Sequence, residues 1–504
     1  MSATERTQRC SPPQAVGGLE VSGVETHTAY VVMVGDVVFK AKKPIRTAFA
    51  DFGTAERRRA ACEREVTLNR RLCPDVYLGV AELTDPAGGP TEALVKMRRM
   101  PSDRRLARLV GGGGDDTTAQ VDAIAAVVAR FHAGAEQSAE IDCDATPGAV
   151  AARWRANVSE VTSYRCDVLP AADVHEVQAR ALRYLKGRKR LFEYRVREGR
   201  IVDGHGDLLA DDIFCLADGP RILDCLDFDD HLRHVDCIDD AACLAMDLEY
   251  LGREDLGLRF LDRYCAAARD EPPASLQHHY IAYRAFVRAK VACLRYTQGS
   301  RAAGEDARAH CNLALRQLRA GTVRMALVGG LPGTGKSTLS RKLADVTGSV
   351  VISSDHVRKE LDGLDPHSRQ VAGFVEGLYS GTMTDRTYAE VLRRARDHLT
   401  AGRSVVLDAS WTQPMRRERA ALVASCTHSD LVELECRAPR AMAIARIGSR
   451  PTGDSDATPA VYDAMAASAT AWPSATAVDT DTAAGDSVQT AERIWHSTSG
   501  WRDE

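Results

Sequence analysis

The sequence predicts two domains in series, the first an α+β domain with two lobes and the second an α/β domain built on a parallel sheet. A chain of 504 residues is too long for one ordinary hydrophobic core, so more than one domain is expected. The early chain is rich in hairpin signals, such as AYVVMVGDVVFKAKK (29–43), and then becomes largely helical. From Gly321 onward, short apolar strands alternate with helices, which is typical of a parallel sheet.

Changes in composition place the domain boundaries. Residues 1–20 are rich in Ser, Pro and Gly and poor in large apolar side chains, so we expect them to be disordered. The two-lobed domain is then expected to cover residues 21–320, and the α/β domain residues 321–465. Residues 466–504 are predicted to form a polar tail with a short terminal helix.

The composition also argues against several classes of protein. The 66 basic and 70 acidic residues nearly balance, with a formal net charge of −4, which disfavours nucleic acid as a partner. No apolar run approaches the roughly 18 residues of a membrane span, and the N-terminus lacks the apolar core of a signal peptide. The 14 cysteines form no CxxC pairs, which argues against a cysteine zinc site and favours reduced thiols in a cytoplasmic protein.

The clearest motif opens the second domain. GLPGTGKS (330–337) satisfies the pattern GxxxxGK[ST] and lies between an apolar strand and an amphipathic helix. Its glycines allow backbone N–H groups to converge on phosphate oxygens, while Lys336 adds a cation and Ser337 offers a hydroxyl to Mg²⁺. The predicted ATP site comprises Gly330, Gly333, Thr334, Gly335, Lys336, Ser337 and Thr338.

Polar residues that follow later strands favour phosphoryl transfer. Asp355 could accept a substrate hydroxyl proton, with Arg358 one turn away to hold an anion, or it could simply cap a helix. Asp408 ends another strand and is a candidate partner of Mg²⁺. Arg446 and Arg450 are four residues apart on a predicted helix, where they could neutralise a transferring phosphoryl group or form an ordinary solvated face.

These motifs resemble those of P-loop kinases of the gluconate kinase, polynucleotide kinase and zeta-toxin type over residues 322–465. GLPGTGKST, SSDHVRKEL and GRSVVLDAS carry the resemblance. It implies an α/β P-loop NTPase fold that uses MgATP, with Asp355 as general base and with Arg446 and Arg450 in a lid. Because the acceptor differs among members, the resemblance indicates the reaction better than the substrate.

The first domain holds a second set of candidate residues for phosphoryl transfer. Lys40 and Lys42 share one face of a predicted strand, and Glu65, or failing that Glu63, is the expected helix partner of Lys40.

A loop later in the first domain supplies carboxylates. HGDLLADDIF (205–214) contains Asp207 as candidate catalytic base and Asp212 as candidate metal ligand, and Asp227 follows a strand as a second metal ligand.

This set resembles the aminoglycoside phosphotransferase and choline kinase branch of the kinase-like fold over residues 25–300. The resemblance implies a bilobal α+β kinase-like domain in which Asp207 is the base and the loop reads H-G-D-x-x-x-x-N. Asp212 departs from that pattern, because it replaces the usual asparagine. Its extra charge could tighten metal binding, oppose ATP, or leave Asp212 as a simple cap.

Two further predictions concern the helical part of this domain. His132 is expected to be a core histidine that hydrogen-bonds the catalytic region. An acidic surface is predicted to favour a cationic acceptor, and its candidate residues are Asp236, Asp239, Asp240 and Asp247.

With both sets of motifs, the chain resembles bacterial fusion proteins that join an aminoglycoside phosphotransferase-like domain to a P-loop ATP-binding domain. The sequence thus predicts a bifunctional kinase that transfers the γ-phosphoryl of MgATP to a hydroxyl of a small molecule. The alternatives are a regulatory protein in which the first domain binds ATP without turnover, and a nucleic-acid end kinase, which the balanced charge disfavours.

Overall fold

The computed structural model describes residues 10–16, 19–26, 28–46, 51–84, 87–89, 91–112, 116–164, 168–364, 381–449, 458–481 and 484–498. The chain divides into two compact units. The first, the kinase-like unit, comprises Met1–Gln178, Glu193–Pro272 and Gln277–Leu318. The second, the P-loop unit, comprises Ala179–Phe192, Pro273–Leu276 and Arg319–Glu504. The predicted fold class is confirmed, with an α+β bilobal kinase-like domain before an α/β domain with a parallel sheet.

The kinase-like unit begins with an antiparallel sheet in the order β1-β2-β3-β4-β6-β5. Helix α1 follows β4, and its N-terminus is capped by Thr54, whose hydroxyl accepts a hydrogen bond from the backbone N–H of Arg57. Cys62 and Val66 of α1 pack with Val95 of the sheet in a buried cluster. The elements are β1 (Cys10–Val16), β2 (Leu19–Glu25), β3 (Ala29–Val34), β4 (Val37–Lys42), α1 (Ala55–Asn69), β5 (Tyr77–Leu83) and β6 (Glu92–Arg98).

Helices dominate the chain after this sheet, as the sequence predicts. Among the residues described, no helix combines the length and apolar character needed to cross a membrane. The segment HGDLLADD (205–212) is called the catalytic loop after the role predicted for Asp207. The helices before it are α2 (Leu106–Gly112), α3 (Asp116–Ala133), α4 (Ala139–Asp144), α5 (Pro147–Ser163), α6 (Ala171–Gly187) and α7 (Lys189–Arg197). Those after it are α8 (Cys237–Tyr250), α9 (Glu254–Ala268), α10 (Ala274–Thr297) and α11 (Ala303–Ala320).

Two short antiparallel strand pairs hold the catalytic loop. β7 (Ile201–Asp203) pairs with β10 (His234–Asp236), and β8 (Ile213–Leu216) pairs with β9 (Gly219–Ile222). The HGDLLADD segment therefore runs from the end of β7 to the start of β8, which fixes both ends of the loop.

The P-loop unit is built on a parallel sheet in the order β12-β13-β11-β14-β15. The loop after β11 emerges beside the carboxyl ends of β13 and β14, where open α/β sheets bind ligands. The elements are β11 (Arg324–Gly329), α12 (Lys336–Thr347), β12 (Val350–Ser353), α13 (Ser354–Leu361), α14 (Gly381–Thr400), β13 (Val405–Asp408), α15 (Pro414–Cys426), β14 (Asp430–Arg437), α16 (Arg440–Ser449), α17 (Pro459–Ser468), β15 (Thr476–Asp479) and α18 (Ala484–Ser497).

Both ends of the chain differ from the sequence prediction. Part of the segment expected to be disordered, residues 10–16, forms β1, which pairs with β2. The segment predicted as a polar tail with a terminal helix, residues 466–504, contains that helix as α18 but also the unpredicted strand β15, a parallel partner of β14. The four residues of β15 bury only Val478, so they carry little periodic signal, and the backbone of β14 supplies their hydrogen-bond partners.

Candidate active sites

Two lysines of β4 meet one buried glutamate of α1. Lys40 Nζ lies 2.9 Å from Glu65 Oε1, and Lys42 Nζ lies 2.7 Å from Glu65 Oε2. Burial alone would lower the pKa of Lys40, but Asp224 and Glu65 raise it well above its usual value. Burial would raise the pKa of Glu65, but the two lysines lower it. All three groups are therefore ionised, and the expected Lys40–Glu65 pair is present with Lys42 as a second partner.

Each lysine also contacts an aspartate of the segment that follows β9. Lys42 Nζ donates to Asp227 Oδ2 at 2.7 Å, so this predicted metal ligand lies in the same cluster. Lys40 Nζ donates to Asp224 Oδ1 at 3.0 Å, and sequence reasoning missed Asp224. Its φ of +63° is uncommon for a residue other than glycine, and such outliers concentrate at functional sites. The sequence did offer one signal for Asp224, because this residue lies two positions after β9. It directly precedes the CLDF stretch, which contains the metal ligand Asp227 predicted from the family pattern.

A buried aspartate of α8 supports the start of the catalytic loop. Asp240 accepts hydrogen bonds from the backbone N–H groups of His205 at 2.6 Å and Gly206 at 2.9 Å. His132 Nε2 lies 3.0 Å from the same carboxylate, and its Nδ1 lies 2.8 Å from Tyr264 Oη. Burial would raise the pKa of Asp240, but the contact with His132 lowers it below its usual value. The prediction that His132 is a core histidine serving the catalytic region is confirmed.

Helix α10 brings two arginines, one turn apart, to the same loop. Arg284 is buried. Its Nε donates a hydrogen bond to Asp239 Oδ1 at 2.7 Å, and its Nη1 donates one to the carbonyl oxygen of Gly206 at 2.6 Å. Arg288 Nη1 lies 3.7 Å from Asp207 Oδ2. The spacing i, i+4 places both guanidinium groups on one helix face. Sequence reasoning missed both residues, because a helical arginine pair usually indicates a solvated surface.

The predicted acidic surface for a cationic acceptor is wrong. Asp236, Asp239 and Asp240 are almost fully buried, and each is paired within the fold. Asp236 accepts two hydrogen bonds from Arg195 and one from the backbone of Ile238. These carboxylates lie at the start of α8 and bind groups of neighbouring elements. Sequence composition cannot distinguish such buried, paired aspartates from an exposed acidic surface.

The last of those four candidates, Asp247, contacts the catalytic loop. Its Oδ2 accepts a hydrogen bond from the backbone N–H of Ala210 at 2.8 Å. Burial raises the pKa of Asp247 to about 6. Asp212 ends the 3₁₀ turn Ala210–Asp212 directly before β8, and its carbonyl oxygen accepts from Leu223 N at 3.0 Å. Asp212 is partly buried and lies at the position of the family asparagine.

The phosphate loop of the second unit requires its glycines. Gly330, Gly333 and Gly335 have φ values of +130°, +81° and +88°, a region that favours glycine. A Cβ atom on Gly330 would lie 2.6 Å from the carbonyl oxygen of Cys436, and one on Gly333 would collide with the carbonyl group of Ala443. The loop geometry thus fits the predicted phosphate site.

Polar groups converge at the helix that follows this loop. Lys336 begins α12, and its Nζ donates to the carbonyl oxygen of Leu331 at 2.9 Å. Ser337 follows Lys336 in α12 and lies near the carboxylate of Asp408, which is buried at the end of β13. Burial raises the pKa of Asp408, and Lys336 partly offsets that rise. A lysine, a hydroxyl and a carboxylate at a helix N-terminus are suitable partners for a nucleotide phosphate and its Mg²⁺.

The other predicted residues of this unit have distinct environments. Asp355 accepts a hydrogen bond from Arg358 Nη1 at 2.6 Å within α13. Ser353 occupies the cap position of α13, so the alternative that Asp355 caps this helix is wrong. Arg446 donates to the carbonyl oxygen of Thr480 at 2.7 Å, which argues against an ordinary solvated face. Arg450 lies outside the described residues.

A cavity of 260 Å³ lies against the start of the phosphate loop at Gly330. The aromatic side chains of Trp411, Tyr462 and Trp472 line it together with Arg417. Asp355 does not line this cavity, so the cavity does not identify the acceptor position.

Comparison with known proteins covers both units. A family model described as an AAA domain matches residues 325–472. Proteins of Mycobacterium bovis (Mb2027c) and Mycobacterium tuberculosis (Rv2004c) are each 47% identical over 473 residues, covering 94% of this chain and 95% of each relative.

Solved structures with some likeness are more distant. The kanamycin and GDP complex of the aminoglycoside phosphotransferase APH(2")-IIia is 16% identical, covers 62% of this chain and 93% of that chain, and has a TM-score of 0.37. A gluconokinase from Sinorhizobium meliloti is 15% identical, covers 34% of this chain and 90% of that chain, and has a TM-score of 0.26. The fold assignments above rest on the elements of this chain itself.

Proposed function

This chain belongs to the family of the mycobacterial protein Rv2004c, and we propose that it is an ATP-dependent phosphotransferase with two separate nucleotide sites. The observation that carries the proposal is that each unit assembles its own set of a lysine and carboxylates. Two unrelated devices for binding phosphate in one chain are difficult to explain by fold stability alone, because buried charged clusters contribute little to it.

In the kinase-like unit, Lys40 and Lys42 are placed to bind the phosphates of ATP, with Glu65 holding both ammonium groups. Asp224 and Asp212 are residues that would hold Mg²⁺, and Asp227 orients Lys42. Asp227 keeps the role of metal ligand predicted from the sequence, beside Asp224 and Asp212, because its contact with Lys42 is of the same kind as the contact of Asp224 with Lys40. When bound, the metal would neutralise charge on the phosphates and orient them.

The chemical step in this unit is assigned to Asp207. Its carboxylate would accept the proton of an acceptor hydroxyl while that oxygen attacks the γ-phosphorus and ADP leaves. Asp240 and Arg284 orient the loop through the backbone of His205 and Gly206. Arg288, 3.7 Å from the base, would stabilise the negative charge of the transferring group.

In the P-loop unit, the glycine loop and Lys336 would bind the β- and γ-phosphates, with Ser337 and Asp408 on the side of Mg²⁺. Asp355 would act as the base for a second hydroxyl acceptor, and Arg358 orients its carboxylate through a hydrogen bond. Arg446 lies beside Gly335 and is placed to contact the nucleotide. A role for Arg450 in the lid remains a proposal from the sequence.

We place this chemistry in the cytoplasm, with a small hydroxyl compound as acceptor in each unit. Support comes from the cysteines whose side chains are described, which are free thiols and mostly buried. A second candidate function is regulatory, with the kinase-like unit binding ATP without turnover. Asp212 favours this alternative, because an added carboxylate near Asp207 opposes the approach of ATP unless metal neutralises it.

Turnover of ATP by full-length variants tests the proposal. We expect Asp207→Asn and Asp355→Asn each to remove part of the turnover measured against a panel of hydroxyl acceptors, and the double variant to remove nearly all of it. Asp218→Asn is the matched control, because Asp218 is an exposed aspartate paired with Arg221.

Two results would decide against parts of this account. Undiminished turnover in the double variant would exclude both assigned bases. Complete loss in one single variant would show that the other unit is regulatory.

A further inference from the structure

Two histidines and an aspartate of the kinase-like unit meet in a cluster, and neither proposed nucleotide site uses any of the three. His231 Nδ1 lies 2.8 Å from Asp144 Oδ2, and His234 Nδ1 lies 2.7 Å from the same oxygen. The two imidazole rings are 5.7 Å apart at their centroids and nearly perpendicular. One atom from each residue thus lies within 4.8 Å of the others, so the three could hold one metal ion.

Backbone contacts fix the positions of all three residues. His231 lies in the 3₁₀ turn Asp230–Leu232, where its N–H donates to the Asp229 side chain. His234 begins β10 and pairs with Asp203 of β7. Asp144 ends α4, whose N-terminus is capped by the hydroxyl of Ser138. The ligand atoms are therefore held by ordered elements rather than by a mobile loop.

The electrostatic surroundings favour a cation. The carboxylate of Asp144 is the common hydrogen-bond partner of both imidazole rings. Asp229 and Glu140 add negative charge near His231. His231 is 68% exposed and His234 only 12%, so the site has an open side for entry of an ion and for a water ligand.

We propose that Asp144, His231 and His234 bind one divalent transition-metal ion of the zinc class. Two imidazoles and a carboxylate with an open fourth position suit Zn²⁺, and hard cations such as Mg²⁺ prefer oxygen ligands. None of the three ligands is a cysteine, so the site does not require the paired cysteines that the sequence lacks. It does not depend on the proposed phosphotransfer.

Binding requires the two hydrogen-bonded pairs with Asp144 to lengthen. Ligand atoms on a tetrahedral Zn²⁺ lie about 3.3 Å apart, given metal–ligand bonds of about 2.0–2.1 Å. Each Nδ1 must therefore move away from Asp144 Oδ2 by about half an ångström. Each Nδ1 must give up the proton that it now donates to Asp144. A protonated ring releases that proton to solvent, and a neutral ring moves it to Nε2.

The ion would connect the end of α4 to the segment between Asp227 and β10. Because β10 pairs with β7, which leads directly into the catalytic loop, this connection would stabilise the kinase-like unit next to its base. Arg153 supports the same segment through hydrogen bonds to the carbonyl oxygens of His231 and His234.

The test titrates full-length, metal-stripped protein with Zn²⁺ in the presence of excess Mg²⁺, using a chromophoric chelator as competitor. We expect one tight site per chain, a higher melting temperature with Zn²⁺, and at least a ~10-fold loss of affinity in each of the variants Asp144→Asn, His231→Gln and His234→Gln. His496→Gln is the matched control, because this histidine is exposed on α18 and should leave binding unchanged.

The exposed position of His231 keeps the test informative, since its substitution should not affect folding. Equal Zn²⁺ affinity in the wild-type chain and the His231→Gln/His234→Gln variant would overturn the proposal. A Co²⁺ titration gives a second readout, because its visible absorption reports a tetrahedral site, and the band should be absent from the same double variant.

Discussion

Replacing Arg284 by methionine should strongly destabilise the kinase-like unit. The substitution leaves Asp239, which is 1% exposed, without the guanidinium that donates to it at 2.7 Å. Burial already raises the pKa of Asp239 in spite of Arg284, so its ionised form has little other compensation. Removing one partner of a buried ion pair costs about 3–5 kcal/mol. At about 2 °C per kcal/mol, the unfolding transition of the kinase-like unit should fall by roughly 6–10 °C.

Differential scanning calorimetry of the full chain, with a double-mutant cycle, measures this effect. Arg284→Met/Asp239→Leu removes both charges and should recover about 2 kcal/mol of the loss. It should retain a deficit of about 1–3 kcal/mol, because the carbonyl of Gly206 loses its donor. Arg295→Met is the matched control on α10, because Arg295 lies 3.8 Å from a partly exposed Asp306. Equal shifts for Arg284→Met and Arg295→Met would refute the reasoning.

Two further predictions concern the same loop. In a Lys336→Met background, Arg288→Met should lower kcat for ATP turnover by about 10²–10³-fold with little change in the KM for ATP. Steady-state kinetics measures both constants. A change confined to KM would contradict the charge-stabilising role of Arg288. Asp247→Asn should stabilise the protein by about 2–3 kcal/mol at about pH 7.5 and have no effect near pH 4. The reason is that a carboxyl whose pKa is raised to about 6 destabilises the fold only when it is ionised. The wild-type protein therefore loses stability as pH rises through about 4 to 6. Urea unfolding at the two pH values measures this, and a pH-independent difference would contradict it.

Local signals in the sequence were sufficient for much of the fold and for part of each site. The phosphate loop, with Lys336 at the start of α12, follows from glycine spacing between a strand and a helix. The Lys40–Glu65 pair and the role of His132 follow from motif order and from helical periodicity. These features depend on residues that are close in sequence or fixed by one motif.

The remaining features depend on tertiary contacts. Asp224 could not be found from the sequence motif, because only the fold shows that its carboxylate contacts Lys40 and that its φ is positive. Arg284 is a similar case, since its role comes from contact with Gly206, 78 positions away. The strand β15 was missed because an edge strand with one buried side chain has almost no pattern of its own.

The central claim is that the chain has two independent nucleotide sites, and the number of MgADP molecules bound per chain tests it most directly. Isothermal titration should give two for the wild-type protein, one for Lys336→Met, one for Lys40→Met/Lys42→Met, and none for the triple variant. A single bound nucleotide in the wild-type chain, unaffected by one of the two substitutions, would contradict the account.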